Sequence, residues 1–343
     1  MSDIRVSIII VSWNARDLLK KCLPSVVDTD FDGFEIILAD NASEDGSAEW
    51  VRENLPSVRI VSHPENWGFA RGNNEAVPHA RGELIVLLNN DVEVPPGWLI
   101  PIVARFDAAP ELGAAQPKLH QYDFREDFEY SGAAGGFLDR WGYPFARGRI
   151  FDVLERDSGQ YDGSPDIFWA SGTCLAVRRS VWDQSGGLEE AFFMHMEEID
   201  LCWRIRRLGH RIECIPESVV FHIGGGSLAA GSPRKTYYNF RNNLLMLWRN
   251  LPPREWLLVL SVRVVLDSIA ALRALLSGRF KEFLAIVHAY PAAHRLKKSV
   301  GKVDGPFVPL PYRGSIVADR YVRGKKRFSE LVPERFLPRS TPR

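Results

Sequence analysis

The chain has 343 residues, 45% of them apolar and 25% charged, an ordinary globular composition that excludes gross disorder and leaves room for one large or two ordinary domains. Its 43 basic and 43 acidic side chains cancel, so it lacks the basic excess expected where a nucleic-acid backbone is the main partner. Any phosphate it handles is expected to be bound locally. The cysteines, Cys22, Cys174, Cys202 and Cys214, are too scattered for a CxxC zinc or redox pair and too few for a disulfide scaffold. A reducing compartment is the simplest reading. The first apolar run spans only residues 6–11, too short for a signal-peptide core, and the expected location is the cytoplasm.

Over the first 120 residues, Ile-, Val- and Leu-rich runs at 6–12, 35–40, 58–62 and 83–89 alternate with helically spaced stretches at 15–27, 47–55 and 69–79. Near-continuous apolar runs suit strands covered on both faces, and the alternation predicts βαβ units on a mostly parallel sheet, hence an α/β fold. Ligands of such sheets bind beyond the carboxyl ends of the strands. Trp13-Asn14, Asp40-Asn41, His63-Pro64-Glu65-Asn66 and Asn90-Asp91 fall there. Any one of them is also a good turn former; four at one edge favour a binding site.

Residues 119–166, rich in Gly, Tyr and Phe, read as a long surface excursion, a binding loop or lid. A strand pair is expected over 167–177 around Ser171-Gly172, then a helix over 198–208 and strands at 212–215 and 219–223. Residues 256–276 are mostly Leu, Val, Ile and Ala, but Arg263, Asp267 and Arg273 interrupt them, so the segment fails as a transmembrane helix. On a helix, Arg263, Asp267, Ala270, Ala274 and Ser277 share one narrow stripe and leave a very wide apolar face. Basic clusters follow at Arg295, Lys297 and Lys298 and at Arg323, Lys325, Lys326 and Arg327. The segment reads either as an interfacial membrane helix or as a helix packed on the domain or in a dimer interface.

Asn89-Asn90-Asp91 ends the fourth strand with two short oxygen donors which, with a nucleotide diphosphate, suit Mg²⁺ or Mn²⁺. Asp40 can accept from a base imide or a ribose hydroxyl. The run Asn66-Trp67-Gly68-Phe69-Ala70-Arg71-Gly72-Asn73-Asn74 combines glycines for close approach, an Arg for phosphate and amides for base or ribose. Its plain alternative is a tight turn with a solvated Arg. Glu197, Glu198 and Asp200 open a helix that Arg204, Arg206 and Arg207 close, an order the helix dipole alone favours. The preceding Phe192-Phe193-Met194 adds a partly dry setting, in which a carboxylate pKa rises and suits a general base. His222, at a strand end before Gly224-Gly225-Gly226-Ser227, is a candidate third metal ligand.

Taken in order, Val6-Ser7-Ile8-Ile9-Ile10-Val11-Ser12-Trp13-Asn14, Asp40-Asn41-Ala42-Ser43, Asn66-Trp67-Gly68-Phe69-Ala70, Leu88-Asn89-Asn90-Asp91 and Glu197-Glu198-Ile199-Asp200-Leu201-Cys202-Trp203-Arg204 resemble family 2 glycosyltransferases of the GT-A fold. The sequence is most similar to the rhamnosyltransferase-like branch, over about residues 4–250. The resemblance implies a GT-A domain over 1–250, with a nucleotide-binding half at 1–118 and an acceptor half at 119–250, and a helical, basic extension over 251–343. It implies that Asp40 binds the donor base in a nucleotide-sugar pocket shared with Ser12, Trp13, Asn14, Asn41, Asn66, Gly68, Arg71, Asn74 and Asn90. Asp91 stands as metal ligand with Asn89 and His222, and Trp169, Ser171, Gly172 and Asp200 lie on the acceptor side. Glu198 takes the position of the catalytic base, one methylene longer than the family's Asp, with Glu197 as the alternative. No Gln-x-x-Arg-Trp follows the acidic helix, so one sugar is expected per encounter.

The implied activity is an inverting, cation-dependent transfer from a nucleoside-diphosphate sugar, first dTDP-L-rhamnose and then a UDP-hexose. The implied acceptor is a hydroxyl of a lipid-linked or cell-envelope glycan at the inner face of the membrane. Two other classes are weighed against it. A nucleotidyltransferase would carry a Gly-rich loop with an Arg where Ser12-Trp13-Asn14 stands; a non-catalytic nucleotide-sugar or glycan-binding protein would keep the fold alone.

Overall fold

The structure is a computed structural model that describes residues 4–163, 166–224 and 232–337. The main sheet uses β1 (Val6–Ser12), β2 (Phe34–Asp40), β3 (Arg59–Ser62), β4 (Leu84–Leu88), β5 (Val92–Glu93) and β6 (Leu112–Gln121). A small antiparallel sheet follows from β7 (Gly136–Leu138), β8 (Pro144–Ala146), β9 (Arg149–Ile150) and β10 (Val153–Leu154), before the main sheet is completed by β11 (Cys174–Arg178) and β12 (Arg211–His222). The main order is β3-β2-β1-β4-β11-β6-β12-β5, parallel across the first four strands and between β6 and β12, and antiparallel elsewhere.

The continuous apolar runs are explained by burial on both faces. Ile9, Ile37, Ile85 and Leu87 join one core cluster, while Ile8, Ile36, Leu38, Val86 and Leu88 join the other. Helices α1 (Arg16–Val27), α2 (Ser47–Asn54), α3 (Gly68–Ala76) and α4 (Leu99–Ala108) cover the sheet; α5 (Arg179–Ser185) and α6 (Glu197–Arg207) follow β11. Ser12, Asp40 and Ser62 align across β1, β2 and β3. Their loops therefore open on one edge.

Three expectations change. The excursion at 119–166 is folded, because Phe128, Phe137, Phe145 and Ile150 bury fully or nearly so, and Phe137 and Phe145 pack with Tyr312, Phe328 and Phe336 from the far end of the chain. The strand pair over 167–177 is one strand, β11, preceded by an extended approach in which Ile167 N donates to Ile212 O at 3.0 Å. The two strands at 212–215 and 219–223 are one, bent by a register shift between Ile215 and Val219. Gly225, Gly226 and Ser227 lie outside the described residues.

The C-terminal part is α7 (Pro233–Asn250), α8 (Pro253–Leu276), α9 (Phe280–Val300) and α10 (Ile316–Tyr321). Trp256, Val300, Val308 and Tyr312 enter the same core cluster as Leu201 and Trp203, and Trp203 Nε1 donates to Val308 O at 3.0 Å. The charged stripe of α8 faces inward: Arg263 and Asp267 are each 1% exposed. The apolar stripe faces outward.

Candidate active site

At the ends of β1 and β2, Asp40 is buried; its Oδ2 accepts from Ser43 N at 3.3 Å, while Oδ1 has no partner among the described residues. That orphaned atom is free for a ligand donor. Ser12 Oγ accepts from the Asn90 amide at 3.2 Å. Asn14, with φ 47°, donates its N–H to Ser43 Oγ at 2.9 Å and accepts from Glu44 N at 2.8 Å. These bonds tie the loops after β1 and β2 together and leave Trp13 half exposed beside them.

The amides of the next loop serve mostly to shape it. Asn41 donates to Gly68 O at 3.0 Å and meets His63 Nδ1 at 2.8 Å, and Asn66 Oδ1 accepts from Gly68 N at 3.0 Å. Gly68 has φ +71°, and a Cβ there would stand 2.6 Å from the Phe193 ring. Only glycine meets both demands. Arg71 lies 4.0 Å over Trp67, with its partly exposed side chain 3.8 Å from Glu75 and 3.9 Å from Glu190. Asn74 is corrected: its amide is spent at both ends on Leu188, accepting from N at 2.9 Å and donating to O at 2.8 Å, so it clamps the chain rather than reading a nucleotide.

Asp91 and His222 are brought together by the pairing of β5 with β12, which sets Val92 opposite His222 and lets Ile223 N donate to Asp91 O at 3.0 Å. His222 Nε2 is 3.1 Å from Asp91 Oδ1, and its Nδ1 is 3.1 Å from Glu129 Oε1. Burial alone would lower the imidazole pKa, but the carboxylates of Asp91 and Glu129 more than offset it and raise it to about 10. Glu129 is held below the usual carboxylate range: burial opposes this, and the His222 charge with the Ser131 N–H outweighs it. Nothing in the spacing around Glu129 announced it.

Among the described residues no group of three or more His, Cys, Asp and Glu forms a ready cation cage. The chemistry of Asp91 and His222 suits a divalent ion once His222 gives up the proton that the two carboxylates hold on its ring. Their 3.1 Å contact is that of a hydrogen-bonded imidazole–carboxylate pair, which an ion would have to replace.

The approach to α6 is strained. Phe193, His195 and Met196 have φ of 65°, 69° and 74°, left-handed values that bulky residues adopt only when their surroundings force them. Phe193 O accepts from Phe69 N at 2.8 Å and Ala70 N at 3.2 Å. From α7, the Asn242 amide donates to the carbonyls of Phe192, Met194 and His195 at 2.9, 2.8 and 2.8 Å.

This turn delivers Glu197 and Glu198 to a cavity of about 880 Å³ whose walls also include Asn89, Trp169, Ser171 and Gly172. The Oε2 atoms of both glutamates lack partners among the described residues. Burial, reinforced by the Glu198 charge, raises Glu197 well above the carboxylate range; burial pushes Glu198 up to about 7, against backbone N–H groups that favour its ionised form. Burial thus disfavours a second negative charge on this pair.

Trp169 shows only an edge to the cavity, its Nε1 donating to Phe137 O at 3.0 Å. Ser171 Oγ donates to Ser131 O at 3.1 Å. Asp200 is corrected. It is fully buried and accepts from Arg204 at 2.9 Å, Arg249 at 2.9 Å and Asn250 at 2.7 Å, so it braces α6 against α7 and meets no acceptor. His222 and Glu129 line an adjoining cavity of about 140 Å³, and Tyr130 is a wall of both cavities. Arg149 from β9 lies 4.4 Å over the Tyr130 ring, and Lys235 from α7 lies 5.9 Å away. Tyr130, Arg149 and Lys235 escaped sequence reasoning, since they come from three separate segments with no shared spacing.

The sequence pattern of glycosyl transferase family 2 matches residues 7–184. The chain belongs to this family. Its relatives include the N-acetylglucosaminyl-diphospho-decaprenol L-rhamnosyltransferase of Mycobacterium tuberculosis, 25% identical over 237 residues that cover 65% of this chain and 76% of the relative. Rhamnosyltransferase WbbL of Escherichia coli is 24% identical over 224 residues, covering 63% and 83% respectively. In fold, the chain is similar to GalNAc-T7, solved with UDP, GalNAc and Mn²⁺, at a TM-score of 0.59 and 16% identity, covering 91% of this chain and 59% of that one. The protein is a glycosyltransferase of GT-A fold.

Proposed function

We propose that this glycosyltransferase inverts configuration, depends on a divalent cation, and moves L-rhamnose from dTDP-L-rhamnose, ahead of a UDP-hexose, to a hydroxyl of a lipid-linked cell-envelope glycan. The observation that carries this reading is the cavity whose walls include both Glu198, its pKa raised by burial, and Asn89 at the end of β4. The rhamnosyltransferase names of two relatives favour the donor. A lipid-linked acceptor places the enzyme at the inner face of the membrane, with residues 1–118 serving the donor, 119–250 the acceptor and 251–343 that surface.

In this reading Asp40 Oδ1 takes a hydrogen bond from the donor base, and the loop from Ser12 to Asn14 walls the nucleotide. Asp91 and His222 would hold the cation beside Asn89. When bound, it supplies charge neutralisation for the leaving diphosphate. Glu198 accepts the acceptor hydroxyl's proton as that oxygen attacks the anomeric carbon from the face opposite the diphosphate. The bond to the diphosphate breaks as the new glycosidic bond forms, which inverts the centre.

The test is a panel of nucleotide sugars with Mn²⁺ or Mg²⁺ and a polyprenyl-diphosphate-linked acceptor, counting nucleoside diphosphate released against glycan formed. One-to-one release and transfer, fastest with dTDP-L-rhamnose, is expected. Tight donor binding without turnover would replace the proposal with a binding protein, and release of sugar 1-phosphate in place of nucleoside diphosphate with a nucleotidyltransferase.

A further inference from the structure

Helix α8 is built inside out. Arg263 donates to Asp267 at 3.1 to 3.3 Å and to Asn243 Oδ1, and its guanidinium lies 4.1 Å over the Tyr143 ring. Asp267 also accepts from Tyr143 at 2.5 Å and Tyr290 at 2.7 Å. This satisfied buried network fixes the rotation of the helix, because any turn that hid the leucines would strand the ion pair. The opposite face then has to show its apolar side chains, and Val265, Ile269, Leu272 and Leu276 are 58%, 60%, 52% and 79% exposed. A row of this kind, along the second half of a 24-residue helix, is what marks an interaction surface.

The row continues past the end of α8 through Phe280 and Val322, 55% and 83% exposed. Arg273, Arg279, Lys281 and Arg323 surround that corner and are also exposed, with Arg279 and Arg323 paired in part to Glu282 and Asp319. Among the described residues no helix is long and apolar enough to cross a membrane. The cavity that holds Glu198 runs along the flank of α8 past Ile269 and Ala270 and reaches the same corner at Tyr321 and Val322.

We propose that this face of α8 and the α8–α9 corner seat on an anionic lipid surface, and that the cavity opens there so that a lipid-linked acceptor enters from the plane of the bilayer. Charge selects the occupant: two copies of this chain placed face to face would set like cations against each other, whereas lipid phosphates complement them. The docking face stands by itself; the entry route rests on the acceptor proposed above.

The full chain is sedimented with vesicles of phosphatidylcholine alone or mixed with phosphatidylglycerol. Binding is expected with the anionic vesicles. The double variant Leu272→Ser/Leu276→Ser, whose changed side chains lie outside the cavity walls, should lower the partition coefficient ~100-fold. Arg273→Gln and Lys281→Gln should each lower it ~5-fold on anionic vesicles. Unchanged partition in the double variant overturns the proposal, as does a wild-type dimer by light scattering that the double variant dissociates. For the route, the double variant should lose transfer to a vesicle-embedded acceptor and keep it on a short-chain, water-soluble one; equal loss on both overturns the route. Failure of the wild type on every acceptor would strike the proposed reaction and leave the vesicle result standing.

Discussion

Glu198→Gln separates a catalytic carboxylate from a structural one. Gln keeps the size of the side chain and cannot take a proton, so sugar transfer should fall by about 10² to 10⁴, the usual contribution of a positioned general base. Burial holds the Glu198 carboxyl at about 7 in the folded protein, against 4.5 for an ordinary glutamate. The native state thus binds this proton more tightly than the unfolded chain does. The resulting destabilisation is absent below about 4.5, grows as pH rises and is complete above about 7. Removing the charge should therefore stabilise the variant at pH 8 by on the order of 3 kcal/mol and leave it nearly unchanged at pH 4. For the wild type, kcat/KM should climb with pH through about 7 as the base ionises. Stopped assays of nucleoside diphosphate release and urea melts at both pH values read these effects. Near-normal turnover, or a stability loss of equal size at pH 4 and pH 8, would refute the reasoning.

Glu129 Oε1 lies 3.1 Å from His222 Nδ1, the position from which a carboxylate orients a metal-binding imidazole; Glu129→Gln should weaken Mn²⁺ binding by 10- to 100-fold. Calorimetric titration with nucleoside diphosphate present checks this, and unchanged affinity would remove Glu129 from the site. Asp200→Asn would leave the buried guanidinium groups of Arg204 and Arg249 short of a charge, at a cost on the order of 3 to 5 kcal/mol in chemical denaturation. An unaltered denaturation curve with a raised acceptor KM would instead return Asp200 to the acceptor side.

The first half of the fold was legible because its signal is local. Apolar runs mark strands covered on both faces, and β1 spans the residues that its Ile and Val content picks out. The acids of α6 and the end of β4 were legible for the same reason. Asp91, His222 and Glu129 meet only because β12 returns beside β5, bridging 131 residues between Asp91 and His222. No spacing rule reaches that far. Asn74 and Asp200 were misread because a motif gives a residue's neighbours in sequence and not the direction of its side chain. In α8 the periodicity found the charged stripe, but a stripe of Arg and Asp looks the same whether it meets water or the rings of Tyr143 and Tyr290.

The carbonyl of Phe193 takes N–H groups from the start of α3, while Asn242 of α7 grips the peptide groups on either side of it. Four consecutive carbonyls, from Phe192 to His195, thus join three stretches of chain that are far apart in sequence. Anyone exchanging segments with a relative to change what this enzyme glycosylates would have to transplant the pieces around Gly68, Phe193 and Asn242 as one set. A chimera that mixed their origins would lose the seat of its own acidic helix before any sugar arrived.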